Sequence, residues 1–237
     1  MRTKSFLIST VAIALLFASG CVPNTPPAPP GSTETTSTTP TTTTPEPTPT
    51  TKPTLNELVV STSGLGDLLI GGNAESLAAS TELIYWDAEY CVRPDGETTE
   101  ANPGRWATTY DDARSFYGDL ATPFFVDAHD GIIHRIDIFG EDISDAKGIH
   151  IGSTRDQLLA AHPGMTVSYE GPLSDVYFKS DSAGTLAFEV TRHDDGVVYW
   201  PAGQQNIVVQ IRVLQLAMDA NFATAATGNI AGVCSGF

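Results

Sequence analysis

Side chains able to do chemistry are scattered along this chain: five histidines (129, 134, 150, 162 and 193), three cysteines, and 28 acidic residues against 12 basic ones. Ser144-Asp145-Ala146-Lys147 has the spacing at which a lysine one helical turn away can activate a serine hydroxyl. It falls in a Gly-flanked connector with no Lys-Thr-Gly partner, so it reads as a connector. His193-Asp194-Asp195 offers metal-ligating atoms, but with Gly196 following it reads as a hairpin turn. Asp127 and Asp130 beside Gly131 have neither the spacing of a calcium loop nor its terminal glutamate. The sequence has no Gly-x-Ser-x-Gly elbow, no His-Glu-x-x-His helix, no phosphate-cradling glycine loop ending in Lys-Ser/Thr and no Cys-x-x-Cys pair. No basic or histidine-rich neighbourhood adjoins Cys91 or Cys234 to generate a thiolate. The expectation is a protein that is not an enzyme, with no catalytic residue, cofactor or metal. Its rival is a cell-envelope hydrolase using a carboxylate pair among the many Asp and Glu residues. Tyr199-Trp200, ahead of the last strand-like run, is the candidate exposed binding contact, because Tyr and Trp supply much of the energy at protein interfaces.

The N-terminus has the zones of an export signal. Arg2 and Lys4 precede an apolar run from Phe6 to Phe17, too short to span a bilayer. Ala18-Ser19-Gly20-Cys21 follows and resembles the lipobox of bacterial lipoproteins, with Ala18 where that family more often has Leu. The resemblance implies removal of residues 1–20, a diacylglyceryl cysteine at Cys21 carrying acyl chains such as palmitate, and localisation at the extracytoplasmic face of the cell membrane. Two or more acyl chains hold a protein stably at a membrane where one is marginal.

With Cys21 lipidated, Cys91 and Cys234 are left, and an oxidising compartment predicts a disulfide between them. Closing so long a loop is worth about 4–5 kcal/mol in the chain-entropy account. Between the lipid site and the domain, Val22 to Pro53 is dominated by Thr and Pro and cannot bury enough apolar surface to order itself. Residues 21–54 are therefore expected to form a disordered stalk, reaching up to roughly 100 Å if extended as polyproline II. The formal charge of -16 becomes -18 once Arg2 and Lys4 leave, which argues against a nucleic-acid partner and against adhesion to anionic lipid by charge alone. The expected partners are the membrane, through the N-terminal lipid, and an envelope or extracellular protein.

The elements that must position these residues begin near Leu55. Ile70-Gly71 and Ile151-Gly152 each precede a short helical pattern, the second with Ser153 and Asp156 at capping-box spacing and with Pro163-Gly164 as its stop. Strand-like runs follow at Leu83–Val92, Pro123–Ala128 and Ile132–Phe139 in the first half, the last two joined by a turn at His129-Asp130-Gly131. In the second half they lie at Met165–Tyr169, Asp175–Lys179, Thr185–Val190 and Ile207–Leu216, where Val209, Ile211 and Val213 alternate with Gln210, Arg212 and Leu214 as in a half-buried strand. The fold class predicted is α+β: two tandem repeats, 55–140 and 141–237, each a short helical element followed by an antiparallel sheet with one face open or shared. This duplication resembles the fold of the beta-lactamase inhibitory protein and of small outer-membrane assembly lipoproteins. That resemblance implies a sheet face presented to a protein partner rather than catalysis.

Overall fold

The computed structural model describes residues 52–171, 173–192, 199–216, 218 and 229–234. Cys21, the stalk up to residue 51 and the turn expected at His193-Asp194-Asp195 lie outside the described residues.

Among the described residues, fourteen strands and two α-helices follow in chain order. They are β1 (Val59–Ser61), β2 (Gly64–Leu65), β3 (Leu68–Leu69), α1 (Ala74–Thr81), β4 (Ile84–Asp87), β5 (Arg105–Thr108), β6 (Ala113–Arg114), β7 (Leu120–Ala121), β8 (Phe124–His129), β9 (Ile132–Ile138), β10 (Ser144–Asp145), α2 (Arg155–Ala161), β11 (Thr166–Glu170), β12 (Ser174–Ser180), β13 (Thr185–Thr191) and β14 (Val208–Leu214). The main sheet has six antiparallel strands in the order β11-β12-β13-β14-β9-β8, and a smaller one runs β10-β1-β2-β3. The β4-β5 and β6-β7 pairs stand as separate two-stranded ribbons.

This arrangement overturns the expected pair of tandem α+β repeats. The protein is mostly β, and the first half does not own a sheet comparable with the second. The hairpin β8-β9 turns where expected, with Asp130 and Gly131 at φ 51° and 76°, but two strands alone are marginal in water. β9 therefore adds to β14 from the other side of position 140, pairing Ile138 with Ile211, Asp137 with Arg212 and Leu214 with Arg135. No boundary falls at 140, and the chain from Pro49 onward clusters as one unit.

The helices themselves fall where the Ile-Gly pattern placed them. Asn73 caps α1 by accepting from the Ser76 N–H at 2.9 Å. In α2 the capping box sits one residue later than expected. Thr154 Oγ1 accepts from the Gln157 N–H at 3.1 Å, and Gln157 Oε1 accepts from the Thr154 N–H at 2.7 Å. Ser153 is excluded from that role because its buried hydroxyl accepts from the His150 N–H at 3.0 Å, closing the preceding turn. Both helix starts are hydrogen-bonded to the start of a central strand: Gly71 N–H to the Ile133 carbonyl, Gly152 N–H to the Val208 carbonyl, each at 2.8 Å.

One face of the main sheet is the apolar core. Phe124, Val126, Ile136, Ile138, Leu186, Phe188, Ile211 and Val213 pack there with Leu58, Val60, Leu65, Leu68 and Leu158 from the smaller sheet's segment and α2. The opposite face, expected to be open or shared, is covered along β14 and β9. Along β14 every residue is buried, Gln210 and Arg212 included. Asp137, with no exposed surface, accepts from Arg212 Nε at 2.8 Å and from Arg135 Nε at 2.9 Å, and Arg135 Nη2 also binds its second oxygen. The segment Asn229–Cys234 lies over this cluster like a strap. The Asn229 carbonyl accepts from Arg135 at 2.6 Å and from Arg212 at 3.0 Å, while the Ala231 N–H donates to Asp137 at 2.9 Å. The Cys91–Cys234 disulfide, with Cα atoms 5.5 Å apart, fastens the strap to the loop after β4. That loop begins where the long strand expected at Leu83–Val92 stops, at Asp87, and the Cys91 N–H donates instead to the Pro103 carbonyl at 2.9 Å.

Candidate functional site

Turn chemistry builds the aromatic face that is best placed for contact. β6 and β7 are joined by Ser115–Asp119, closed by Ser115 N–H donating to the Asp119 carbonyl at 3.0 Å and Gly118 N–H to the Ser115 carbonyl at 2.9 Å. The tight turn points Phe116 inward and leaves Tyr117 64% exposed. From the other end of the chain, Trp200 enters beside Phe116 with ring centroids 5.6 Å apart at 78°. Phe116 also meets Tyr117 at 5.0 Å and 75°, and Trp200 meets Tyr199 at 5.0 Å and 82°. The result is a chain of four rings joined by three edge-to-face contacts, two buried rings supporting two exposed ones. Each such pair is worth about 0.5–1.5 kcal/mol beyond its buried area.

The sequence expectation for this pair needs correction at one residue. Tyr199 is 58% exposed, as a contact residue should be, but Trp200 is only 5% exposed. Its indole Nε1–H donates to the Leu173 carbonyl at 2.7 Å, and Gln205 Nε2 donates to its own carbonyl at 2.8 Å. An indole N–H held in this way inside the core makes Trp200 the support of the face rather than part of it. Tyr117, which the sequence did not single out, takes the second exposed place. Desolvation, then the charges of Tyr199 and Glu189, raise its phenol above the ordinary value of 10. At neutral pH it is therefore an uncharged ring with a hydroxyl, suited to a semi-dry interface. Tyr85 and Trp86 are also exposed, on the β4-β5 ribbon.

Ser144 and Lys147, read from the sequence as part of a connector, are engaged separately. Ser144 pairs with Val59 in the sheet, and Lys147 Nζ donates to the Ala161 carbonyl. Asp145 and His162 are instead neighbours: His162 Nε2 lies 2.5 Å from Asp145 Oδ2, and Lys179 Nζ lies 3.4 Å from His162 Nδ1. These partners fit a neutral ring that donates from Nε2 and accepts at Nδ1. Burial holds the imidazole below its ordinary value of 6.5 against the opposing hydrogen bond to Asp145, and Lys179 and Lys147 push it the same way. The other oxygen of Asp145 accepts the N–H groups of Lys147 at 2.8 Å and Ile149 at 3.0 Å. All of its contacts thus tie the end of α2 to the turn after β10, a structural use. Among the described residues no group of three or more His, Cys, Asp or Glu side chains could hold a metal ion, and no helix is long and apolar enough to cross a membrane.

No protein-family model matches the chain, and no curated protein matches it in sequence. Among solved structures it is similar to the crystal structure of the uncharacterized protein yfeY from Escherichia coli, at 19% identity and a TM-score of 0.39, over 66% of this chain and 99% of that one.

Proposed function

We propose that this chain is a lipid-anchored, extracytoplasmic module that binds an envelope or extracellular protein without catalysis, using the Tyr117–Tyr199 face. The observation that carries the reading is that two exposed tyrosines are held from beneath by the buried rings of Phe116 and Trp200. Rigid aromatic side chains bind at little conformational cost and often act as hot spots, each worth about 2 kcal/mol or more on truncation. The tether rests on separate support, the Ala18-Ser19-Gly20-Cys21 sequence ahead of a Thr/Pro-rich stalk. The stalk's end is fastened to the domain: Lys52 Nζ sits 4.3 Å from the centre of the Tyr110 ring, and Tyr110 Oη donates to the Pro53 carbonyl at 2.6 Å.

Site-specific photocrosslinking in the native envelope tests the face. A benzophenone side chain at 117 or 199 is expected to give a discrete protein adduct that one at Asp181 does not, and Tyr117→Ala combined with Tyr199→Ala should abolish competition by the unlabelled protein. Identical adduct patterns at all three positions would refute the face. Mass spectrometry of the purified native protein tests the tether independently, with a diacylglyceryl group on Cys21 expected and a free thiol fatal to it.

A further inference from the structure

A second recessed surface lies on the β4-β5 ribbon, apart from the residues of the tyrosine face. Trp86 and Trp106 are directly opposite each other across the ribbon, with ring centroids 5.4 Å apart at 63°. Beneath Trp86 the chain runs through Gly104, where an added Cβ would come within 2.1 Å of the indole, so only glycine lets the ring lie against the backbone there. Trp86 nevertheless remains 45% exposed. Its indole is thus pinned in place while keeping a face to offer.

A cleft of about 270 Å³ opens between this pair and the C-terminal strap. That is slightly below the volume of most small-ligand sites, about 300 Å³ and upward, and suits one ring of a larger molecule. Asn102 and Asp127 stand on its margin, Arg105 and Arg135 line it, and Asn229 comes from the strap. Of these, Asn102 and Asp127 carry planar groups of the kind that can meet two adjacent hydroxyls at once.

Electrostatics decides between ligand classes. Neither guanidinium is open to an anion: Arg135 donates to Asp137, to Asn229 Oδ1 at 2.8 Å and to the Asn229 carbonyl at 2.6 Å, and Arg105 lies 3.0 Å from Glu100 while donating to the carbonyls of Asn102 at 2.8 Å and Gly104 at 2.9 Å. Asn102 Oδ1 accepts from the Gly104 N–H at 3.3 Å, which fixes the amide against the backbone at the edge of the cleft. Asp127 and the net charge of -16 oppose phosphate and carboxylate groups. An aromatic plate beside fixed planar polar groups matches a pyranose, which has an apolar C–H face and a rim of hydroxyls.

We infer that the Trp86–Trp106 cleft binds a neutral glycan, one sugar ring stacking on Trp86 with its hydroxyls bonded by Asn102 and Asp127. This does not rest on the tyrosine face, and either can fail alone.

The test is titration of the full mature protein with chitotetraose, cellotetraose, maltotetraose and mannotetraose, read by tryptophan emission and by calorimetry. At least one should give saturable binding with a Kd of roughly 0.1–1 mM. Trp86→Ala should weaken it by about tenfold or more, the value of one aromatic stacking contact, while Trp86→Phe retains most of it. Gly104→Ala, which displaces the ring without removing it, should also weaken binding, and Tyr117→Ala with Tyr199→Ala should leave it unchanged. Retention of the disulfide and of the native circular dichroism verifies folding of each variant. Absence of saturable binding to all four sugars, undiminished binding by Trp86→Ala, or a clear preference for phosphorylated over neutral tetraoses would each overturn the inference.

Discussion

Replacing both Cys91 and Cys234 by serine measures what holds the strap. The bridge spans 143 residues of sequence. In the chain-entropy treatment a loop of that size costs the unfolded state roughly 17 cal/mol/K, which is about 5 kcal/mol at 25 °C. Domains are stable by about 5–15 kcal/mol in total, so the variant should lose a third or more of its stability. With a urea m-value of about 2 kcal/mol/M, the unfolding midpoint should fall by about 2.5 M at nearly constant m. Hydrogen exchange gives a local readout. The Ala231 N–H, which donates to buried Asp137, should lose protection by more than the core strands do, because the strap's remaining ties are its bonds to Arg135, Arg212 and Asp137. A midpoint within about 0.5 M of the wild type, a loss near 1 kcal/mol, would refute the entropic account. Unchanged Ala231 protection would show that the ionic cluster holds the strap without the bridge.

Asp137→Ala should cost about 3–5 kcal/mol by leaving Arg135 and Arg212 as buried, uncompensated charges, as measured by urea unfolding. Trp200→Ala should cost a similar amount, about 3–5 kcal/mol, and should also raise exchange at the Tyr117 turn, since it removes the ring behind the face. For His162, burial depresses the folded-state value below 6.5, so the unfolded chain binds the proton first as the pH falls. Stability should therefore be full above pH 6.5, decline below it by at most about 1.4 kcal/mol per pH unit, and level off under the folded value; His162→Gln should remove that part of the slope in urea midpoints taken across the range.

Local patterns were legible in the sequence where short-range physics decides them. The turn at Asp130-Gly131, the strands of the main sheet and the two helices after Ile-Gly all follow from turn residues, alternation and caps. The disulfide follows from compartment and count. Partnering across the chain was not legible. Nothing in Ile132–Ile138 says that its neighbour is β14 rather than a strand of its own half, and the two-residue strands β6, β7 and β10 are too short for periodicity to register. β5 was missed because Arg105-Trp106-Ala107-Thr108 does not alternate apolar with polar. The outer face of β14 was misread for a related reason. Alternation assigns polar side chains to solvent, whereas Arg135 and Arg212 share the carboxylate of Asp137 beneath the strap. A signal did exist, opposite charges two residues apart in one strand and an arginine in another, but only the register joins them. Trp200 was misassigned because an indole serves equally well as a contact and as a hydrogen-bonded core residue, and sequence does not reveal the carbonyl at Leu173 that decides the matter.

The main sheet is insulated from water in two unlike ways, by hydrocarbon on one side and by a hydrogen-bonded ionic layer on the other. The two respond differently to heat. Apolar burial gains little per unit area as temperature rises, while the hydration that charged groups forfeit on burial becomes less favourable. The arginine–aspartate layer should therefore carry a growing share of the cohesion on warming, so that the sheet's relative reliance passes from its greasy side to its charged one.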